Sequence, residues 1–275
     1  MKKHLTTIVL ILILLAGLSL LLYPTVSNYW NSMHQSKAVA SYVKEVEKMD
    51  EEDYSKIWKS AEEYNKNLAK QGTTFSLPES QKGIYEKQLA IESTDVMGYV
   101  EIPEIKCTLP IYHGTDEAVL QIAIGHLEWS SLPVGGEGTH CVISGHRGLP
   151  RAKLFTDIDQ LTEGSVFMLQ ILDETLTYEV DQILIVLPEE TEALKIEPGK
   201  DYCTLMTCTP YGVNTHRLLV RGHRIANIDD LSGRITSDAM MVEPMIVASC
   251  LAIPILLALL LYVLLHNRRP KKKED

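Results

Sequence analysis

Two apolar runs near the ends of this 275-residue chain decide where everything between them can fold. Leu5–Leu22 is almost uninterrupted in apolar residues and long enough to cross a bilayer as one helix. Lys2 and Lys3 precede it and no basic residue follows until Lys37, so the positive-inside rule keeps the N-terminus in the cytoplasm. The run exceeds the h-region of a cleaved signal peptide, and Tyr23-Pro-Thr-Val-Ser offers no clear small-x-small site, so the reading is an uncleaved anchor. Met245–Leu265 is a second run of spanning length, with a proline, Pro254, of the kind spanning helices tolerate. It ends in the basic cluster His266–Lys273, which the same rule keeps inside. A buried core helix is the bland alternative for each run, but two of them at opposite ends with basic outer flanks argue against it. The expected protein sits in the cell membrane by two spans, both termini cytoplasmic, its middle outside.

Charge narrows the partners of that middle. Seven of the 26 Lys and Arg, but only two of the 36 Asp and Glu, lie at the two ends, leaving 19 basic and 34 acidic residues between them, a formal charge of −15. Such a surface repels phosphate backbones and contains no basic patch, so no nucleic acid is expected. The basic tail can touch anionic membrane lipid, as any stop-transfer flank does.

The pattern divides the chain into 1–23, cytoplasmic tip and anchor; 24–94, a helical preface; 95–228, a catalytic barrel; 229–244, a linker; and 245–275, the second span and tail. In the preface, Val39, Val43, Val46 and Met49, then Tyr54, Ile57, Trp58, Ala61, Tyr64 and Leu68, recur at three and four residues. That spacing predicts two amphipathic helices, packing pieces more than partner-binding ones. Asp50-Glu-Glu-Asp53 suits the start of the second. Residues 72–80 turn loop-like, and a further helix is expected from Lys82 to Ile91. Beyond residue 95, short strands are expected at Val96–Ile102, Cys107–Tyr112, Thr139–Ser144, Ser165–Leu172, Leu176–Leu187, Tyr202–Cys208 and His216–Ile225, with short helices at Ala118–Ile124 and Lys153–Gln160. Many brief strands at close spacing indicate a mostly β barrel or sandwich.

The chemistry concentrates in Thr204-Leu-Met-Thr-Cys-Thr-Pro-Tyr-Gly-Val-Asn-Thr-His-Arg217. An apolar strand delivers Cys208 to its end, a Pro/Gly/Asn turn follows, and the return strand opens with Arg217. A thiolate is the nucleophile, and a fixed positive charge favours that form. The same guanidinium can bond the oxyanion that forms when sulfur attacks a carbonyl. Arg147, Arg221 and Arg224 are rivals whose ordinary reading is an exposed charge. Among the seven histidines between the two runs, His146 leaves an apolar strand into a Gly-His-Arg-Gly loop that presents it to a cleft, while His216 is the rival nearest Cys208 in sequence. His140, Cys141 and His146 fit no common zinc spacing, so neither metal nor cofactor is expected. Of the five cysteines, Cys250 lies in the second run, and Cys107, Cys141 and Cys203 stand among apolar neighbours where burial is their ordinary role.

Thr-Leu-x-Thr-Cys ending at Cys208, with an arginine nine residues on, resembles the active-site strand pair of the sortases. Gly145-His-Arg-Gly-Leu-Pro150 and Cys208–Arg217 are similar to their pilus-assembling branch, class C. Met97–Pro103, Leu109–Gly114 and Leu132–Gly136 extend the resemblance over roughly residues 95–225. It implies an eight-stranded barrel and a cysteine transpeptidase with Cys208 as nucleophile, His146 as general acid and base, and Arg217 as oxyanion and substrate stabiliser. The implied reaction cleaves a Leu-Pro-x-Thr-Gly-like sorting signal between Thr and Gly through a thioester. It then joins the acyl group to a lysine of another pilin subunit, building a pilus on a Gram-positive cell surface. The alternatives are a housekeeping sortase that uses a peptidoglycan-precursor amine, a catalytically silent membrane-tethered scaffold, and a thiol protease that transfers to water. Class C sortases commonly carry an Asp-Pro-aromatic lid over the cysteine. No Asp-Pro dipeptide occurs here, so the usual lid is expected to be shortened or absent, the alternative being a degenerate, vestigial lid in 72–80 formed by Phe75 and Pro78. In the family the strands of Cys141 and Cys203 run parallel and adjacent, which would put those two thiols at similar depth, where a disulfide is conceivable.

Overall fold

Period-two burial closes the middle of the chain into a barrel. The computed structural model describes residues 2–227 and, beyond them, residues 254–256, 258 and 262. The eight strands are β1 (Val96–Ile102), β2 (Cys107–His113), β3 (Ile124–His126), β4 (Thr139–Ser144), β5 (Val166–Ile171), β6 (Glu174–Val186), β7 (Asp201–Thr209) and β8 (His216–Arg224). They close in the order β1-β2-β3-β4-β7-β8-β6-β5, with β5 returning to β1. The pairs β2–β3 and β4–β7 are parallel and the remaining pairs antiparallel.

The lumen is filled by the inward residues of these strands, among them Val100, Ile111, Ile143, Leu169, Leu205 and Val220, all essentially without exposure. A small barrel of this kind is packed solid by its own side chains. A second cluster forms on its outer surface, where Val142, Leu184, Val186, Met206 and Leu219 meet Leu127, Trp129, Leu194 and Phe75. The first cluster stabilises the barrel; the second lies on the face that carries the site.

The named α-helices among the described residues are α1 (Lys2–Val46), α2 (Glu51–Gln71), α3 (Glu79–Tyr85) and α4 (Glu117–Leu120). The described residues form two units that divide after Trp30, within α1. In the first, apolar side chains such as Leu5, Leu12, Ile13 and Leu20 are exposed, as befits a helix long and apolar enough to cross a membrane. The second unit holds the rest of α1 and the barrel. There Tyr42 is fully buried, donating its hydroxyl to the Met97 carbonyl at 3.0 Å and accepting the Leu172 amide at 2.7 Å. Helix α2 begins at Asp50, whose carboxylate accepts the Asp53 amide at 2.8 Å, a standard N-cap. Its buried Asn65 bonds both the amide and the carbonyl of Leu132, so a side chain satisfies backbone groups that no strand reaches.

Several expectations need correction. The first expected preface helix is the continuation of α1, not a separate element. The helix expected over Lys82–Ile91 runs instead from Glu79 to Tyr85. The stretch 118–124 splits: α4 ends at Leu120, and Ile124–His126 form the eighth strand. Apolar residues at 119, 120, 122, 123 and 124 satisfy either period, and Tyr85 decides the matter from outside. Its hydroxyl accepts the Gly114 amide at 3.0 Å and bonds Nδ1 of His126 at 2.9 Å, holding β2 and β3 side by side. Of Lys153–Gln160 only Ile158–Gln160 is helical, as one 3-10 turn. The expected second spanning helix, Met245–Leu265, lies outside the described residues apart from 254–256, 258 and 262.

Candidate active site

Parallel pairing of β4 with β7 builds the site. Their register runs from Thr139↔Asp201 to Ser144↔Met206. It continues past the strand end, where the Gly145 amide donates to Met206 at 3.0 Å and the Thr207 hydroxyl to the Gly145 carbonyl at 2.7 Å. His146 follows two residues beyond Ser144 and Cys208 two residues beyond Met206, so the two parallel strands carry both residues to the same end of the barrel. On the other side, β7 and β8 pair Cys208 directly with Arg217. Cross-strand partners point to the same face. That face is the outer one, because Cys203, Leu205, Leu218 and Val220 fill the lumen while Met206 and Leu219 join the outer cluster.

Local chemistry explains why the chain leaves the barrel as it does. A Cβ on Gly145 would lie 2.7 Å from Ile124 and 2.8 Å from Phe155, so only glycine passes beneath those side chains on the way to His146. Gly148 has φ +75°, and a Cβ there would meet the Tyr211 ring at 2.9 Å. Tyr211 belongs to the β7–β8 connection, so the loops bearing His146 and following Cys208 lean on each other. Past the cis Thr209–Pro210 bond, the amides of Val213 and Asn214 return to the Pro210 carbonyl, and Asn214 takes φ +61°. That turn reverses the chain so that Arg217 comes back opposite Cys208.

The four competing arginines differ in what they already hold. Arg147 is paired with Asp159, Arg221 donates twice to Asp181 at 3.0 and 3.1 Å, and Arg224 bonds the Thr175 carbonyl and lies over Tyr178. Arg217 has no carboxylate partner among the described residues; its Nη1 donates weakly to the carbonyls of His216 and Asn214. Its charge is therefore available. His216 pairs with Thr209, one step from the Cys208 pair, and so points to the opposite face.

Independent likeness bears on this geometry. The Sortase domain family matches residues 100–225. Sortase C1 of Streptococcus agalactiae is 54% identical, with TM-score 0.68, over 70% of this chain and 100% of that one. This chain belongs to the sortase family.

Sortases are cysteine transpeptidases, and two further structural neighbours are of class C. A Clostridium perfringens sortase C, solved with the C-terminal cell wall sorting motif, is 45% identical with TM-score 0.62, covering 70% of this chain and 100% of that one. The sortase C of Streptococcus pneumoniae, whose structure is described as bearing on catalysis and pilin substrate specificity, is 42% identical with TM-score 0.62, covering 70% and 97%.

In this sortase the other described cysteines sit in a different environment. Burial pushes the Cys107 thiol up to about 12 and that of Cys203 well above its ordinary range, which leaves little thiolate. Cys141 and Cys203 are cross-strand partners in the lumen, at matching depth, and both are free thiols. His140 is buried too, bonded to the Lys195 carbonyl and the Thr204 hydroxyl, and burial lowers its pKa. It belongs to the scaffold. No group of three metal-ligating side chains occurs among the described residues.

Two features add to what the sequence offers. The loop after α2 lies against the barrel: Phe75, at φ +53°, sets its ring edge-on to Trp129 at 5.2 Å and joins the outer cluster that contains Met206. Thr73 accepts the Ile196 amide at 3.2 Å and fixes the loop's other side. The second feature is Glu117 on α4, whose carboxylate lies 3.8 Å from Nε2 of His146. Its only sequence signal is an acid in the first turn of a short helix, 29 positions before the histidine.

Proposed function

We propose that this protein is a pilus-assembling transpeptidase that acts outside the membrane on sorting signals resembling Leu-Pro-x-Thr-Gly. The Cys208 thiolate attacks the threonine carbonyl carbon. Arg217 donates to the oxyanion, and His146 as imidazolium gives its proton to the departing glycine amine as the C–N bond breaks. The product is a thioester on Cys208. A lysine amine from a second pilin subunit then loses its proton to His146 and attacks, the C–S bond breaks, and an isopeptide bond joins the subunits. No cofactor takes part.

The cross-strand pair Cys208↔Arg217, on the outward face of the barrel, is the observation that carries this reading. Class C neighbours support the pilin assignment, and an outward site suits two protein substrates that must arrive in turn. The N-terminal helix would anchor the enzyme, with Tyr23, Tyr29 and Trp30 exposed beside it as an interfacial aromatic belt. Met245–Leu265 would be the second span, bringing both termini inside. We read residues 72–78 as a short lid: Phe75 occupies the apolar surface two residues from Cys208 and must leave before a sorting signal can lie there.

The test is transfer itself. Full-length protein in detergent micelles, given a Leu-Pro-x-Thr-Gly peptide and a lysine-bearing pilin, should form an isopeptide-linked product in preference to free acid. Acceptance of a peptidoglycan-type amine with refusal of the pilin lysine contradicts the pilus assignment and favours a wall-anchoring enzyme.

A further inference from the structure

An acid–base histidine works only if its ring faces the right way and carries its proton on the right nitrogen. Which nitrogen that is depends on what the other one bonds. In His146, Nε2 is buried and has no hydrogen-bond partner among the described residues. The nearest group to Nε2 is one Glu117 oxygen at 3.8 Å, beyond hydrogen-bond length but within ion-pair range. The other Glu117 oxygen is held by Nε2 of Gln121, one turn later on the same helix, whose backbone amide also donates to the Glu117 carbonyl at 3.0 Å. Glu117 is thus fixed at one oxygen and aimed with the other.

We propose that Glu117 is the positioning residue of this sortase: it accepts the Nε2 proton of His146, fixes the ring, and leaves Nδ1 for proton exchange in the cleft. The contact is long in the free enzyme, and catalytic hydrogen bonds commonly shorten once substrate is bound. Glu117 is mostly exposed, so a small rotation closes the gap. An outward carboxylate beside the ring also steadies the imidazolium that forms when His146 takes the proton of the incoming amine. Two cations of the loop that follows His146 are already engaged with other carboxylates. Arg147 pairs with Asp159, Lys153 with Asp157 at 2.8 Å, and Cys208 and Arg217 form the nucleophile pair. Gln121 is part of the same device, because it stops Glu117 from swinging to solvent.

This inference rests on His146 being the acid–base group, and the experiment separates the two claims. In full-length protein, Glu117→Ala should lower kcat about tenfold with KM for both substrates unchanged, the lower end of what a hydrogen bond to a charged group contributes. Gln121→Leu should give a smaller loss of the same kind. Nitrogen-15 spectra of histidine-labelled protein, with His146 assigned through His146→Gln, should show the Nε2–H tautomer in the parent and a mixed population in Glu117→Ala. Unchanged kcat and tautomer in Glu117→Ala, with His146→Ala inactive, overturns the positioning role alone. A raised KM for the amine at constant kcat also overturns it, since Glu117 would then bind the acceptor. An active His146→Ala enzyme overturns the reading beneath both.

Discussion

The two faces of β4, β7 and β8 are made by the same three strands and share little chemistry. Inward lie Cys141, Cys203, Ile143, Leu205, Leu218 and Val220, sealed from water. Outward lie Met206, Cys208, Arg217 and Leu219, and the loop that bears His146 begins where β4 ends. Cys203 and Cys208 are five residues apart, an odd number, and an odd step along a strand changes the face. A thiol on one side is a small packing group; on the other it stands directly across the strands from an arginine. Parity along one strand separates a structural cysteine from a reactive one.

That contrast can be broken in four ways, in order of falling effect. Arg217→Ala removes the available charge beside Cys208 and should lower kcat/KM by about 10²–10³-fold, as loss of one oxyanion donor does. A change below threefold would show that the outer face does not work through its arginine. Leu205→Ala, one pleat away and facing inward, should cost about 2–5 kcal/mol of stability through the cavity it leaves. Thermal unfolding should record that loss while the turnover of the folded enzyme stays near the parent's. Phe75→Ala strips the apolar contact of the 72–78 loop, so a thiol reagent should modify Cys208 up to about tenfold faster, one decade per 1.4 kcal/mol of lost closure. An unchanged rate would mean that the loop does not cover the thiol. Last, the raised Cys107 pKa keeps that thiol neutral below about 12, so alkylation between pH 7 and 9 should mark Cys208 and spare Cys107. Comparable labelling of both would erase the distinction between environments.

Much of the barrel was legible because period-two patterning is local: seven of the eight strands can be read from their own residues. The eighth, β3, is three residues long and depends on Tyr85 from a distant helix, information absent from residues 124–126 themselves. The site divides in the same way. Cys208 and Arg217 announce themselves through one hairpin, and His146 through the glycine loop that presents it. Glu117 could not be found, since only the parallel β2–β3 pairing and the antiparallel β3–β4 pairing bring α4 back to the histidine loop. The packing of Phe75 was equally hidden: its partners Trp129, Leu194 and Met206 come from three separate segments.

Thioester formation at the outward thiol is the central claim, and trapping the acyl-enzyme tests it most directly. Full-length protein mixed with a Leu-Pro-x-Thr-Gly peptide, quenched in acid and mapped by mass spectrometry, should carry one acyl group, on Cys208. The adduct should vanish in Cys208→Ala and persist in Cys107→Ala and Cys203→Ala. An acyl group on Cys107, Cys141 or Cys203, or one that survives in Cys208→Ala, would contradict the account.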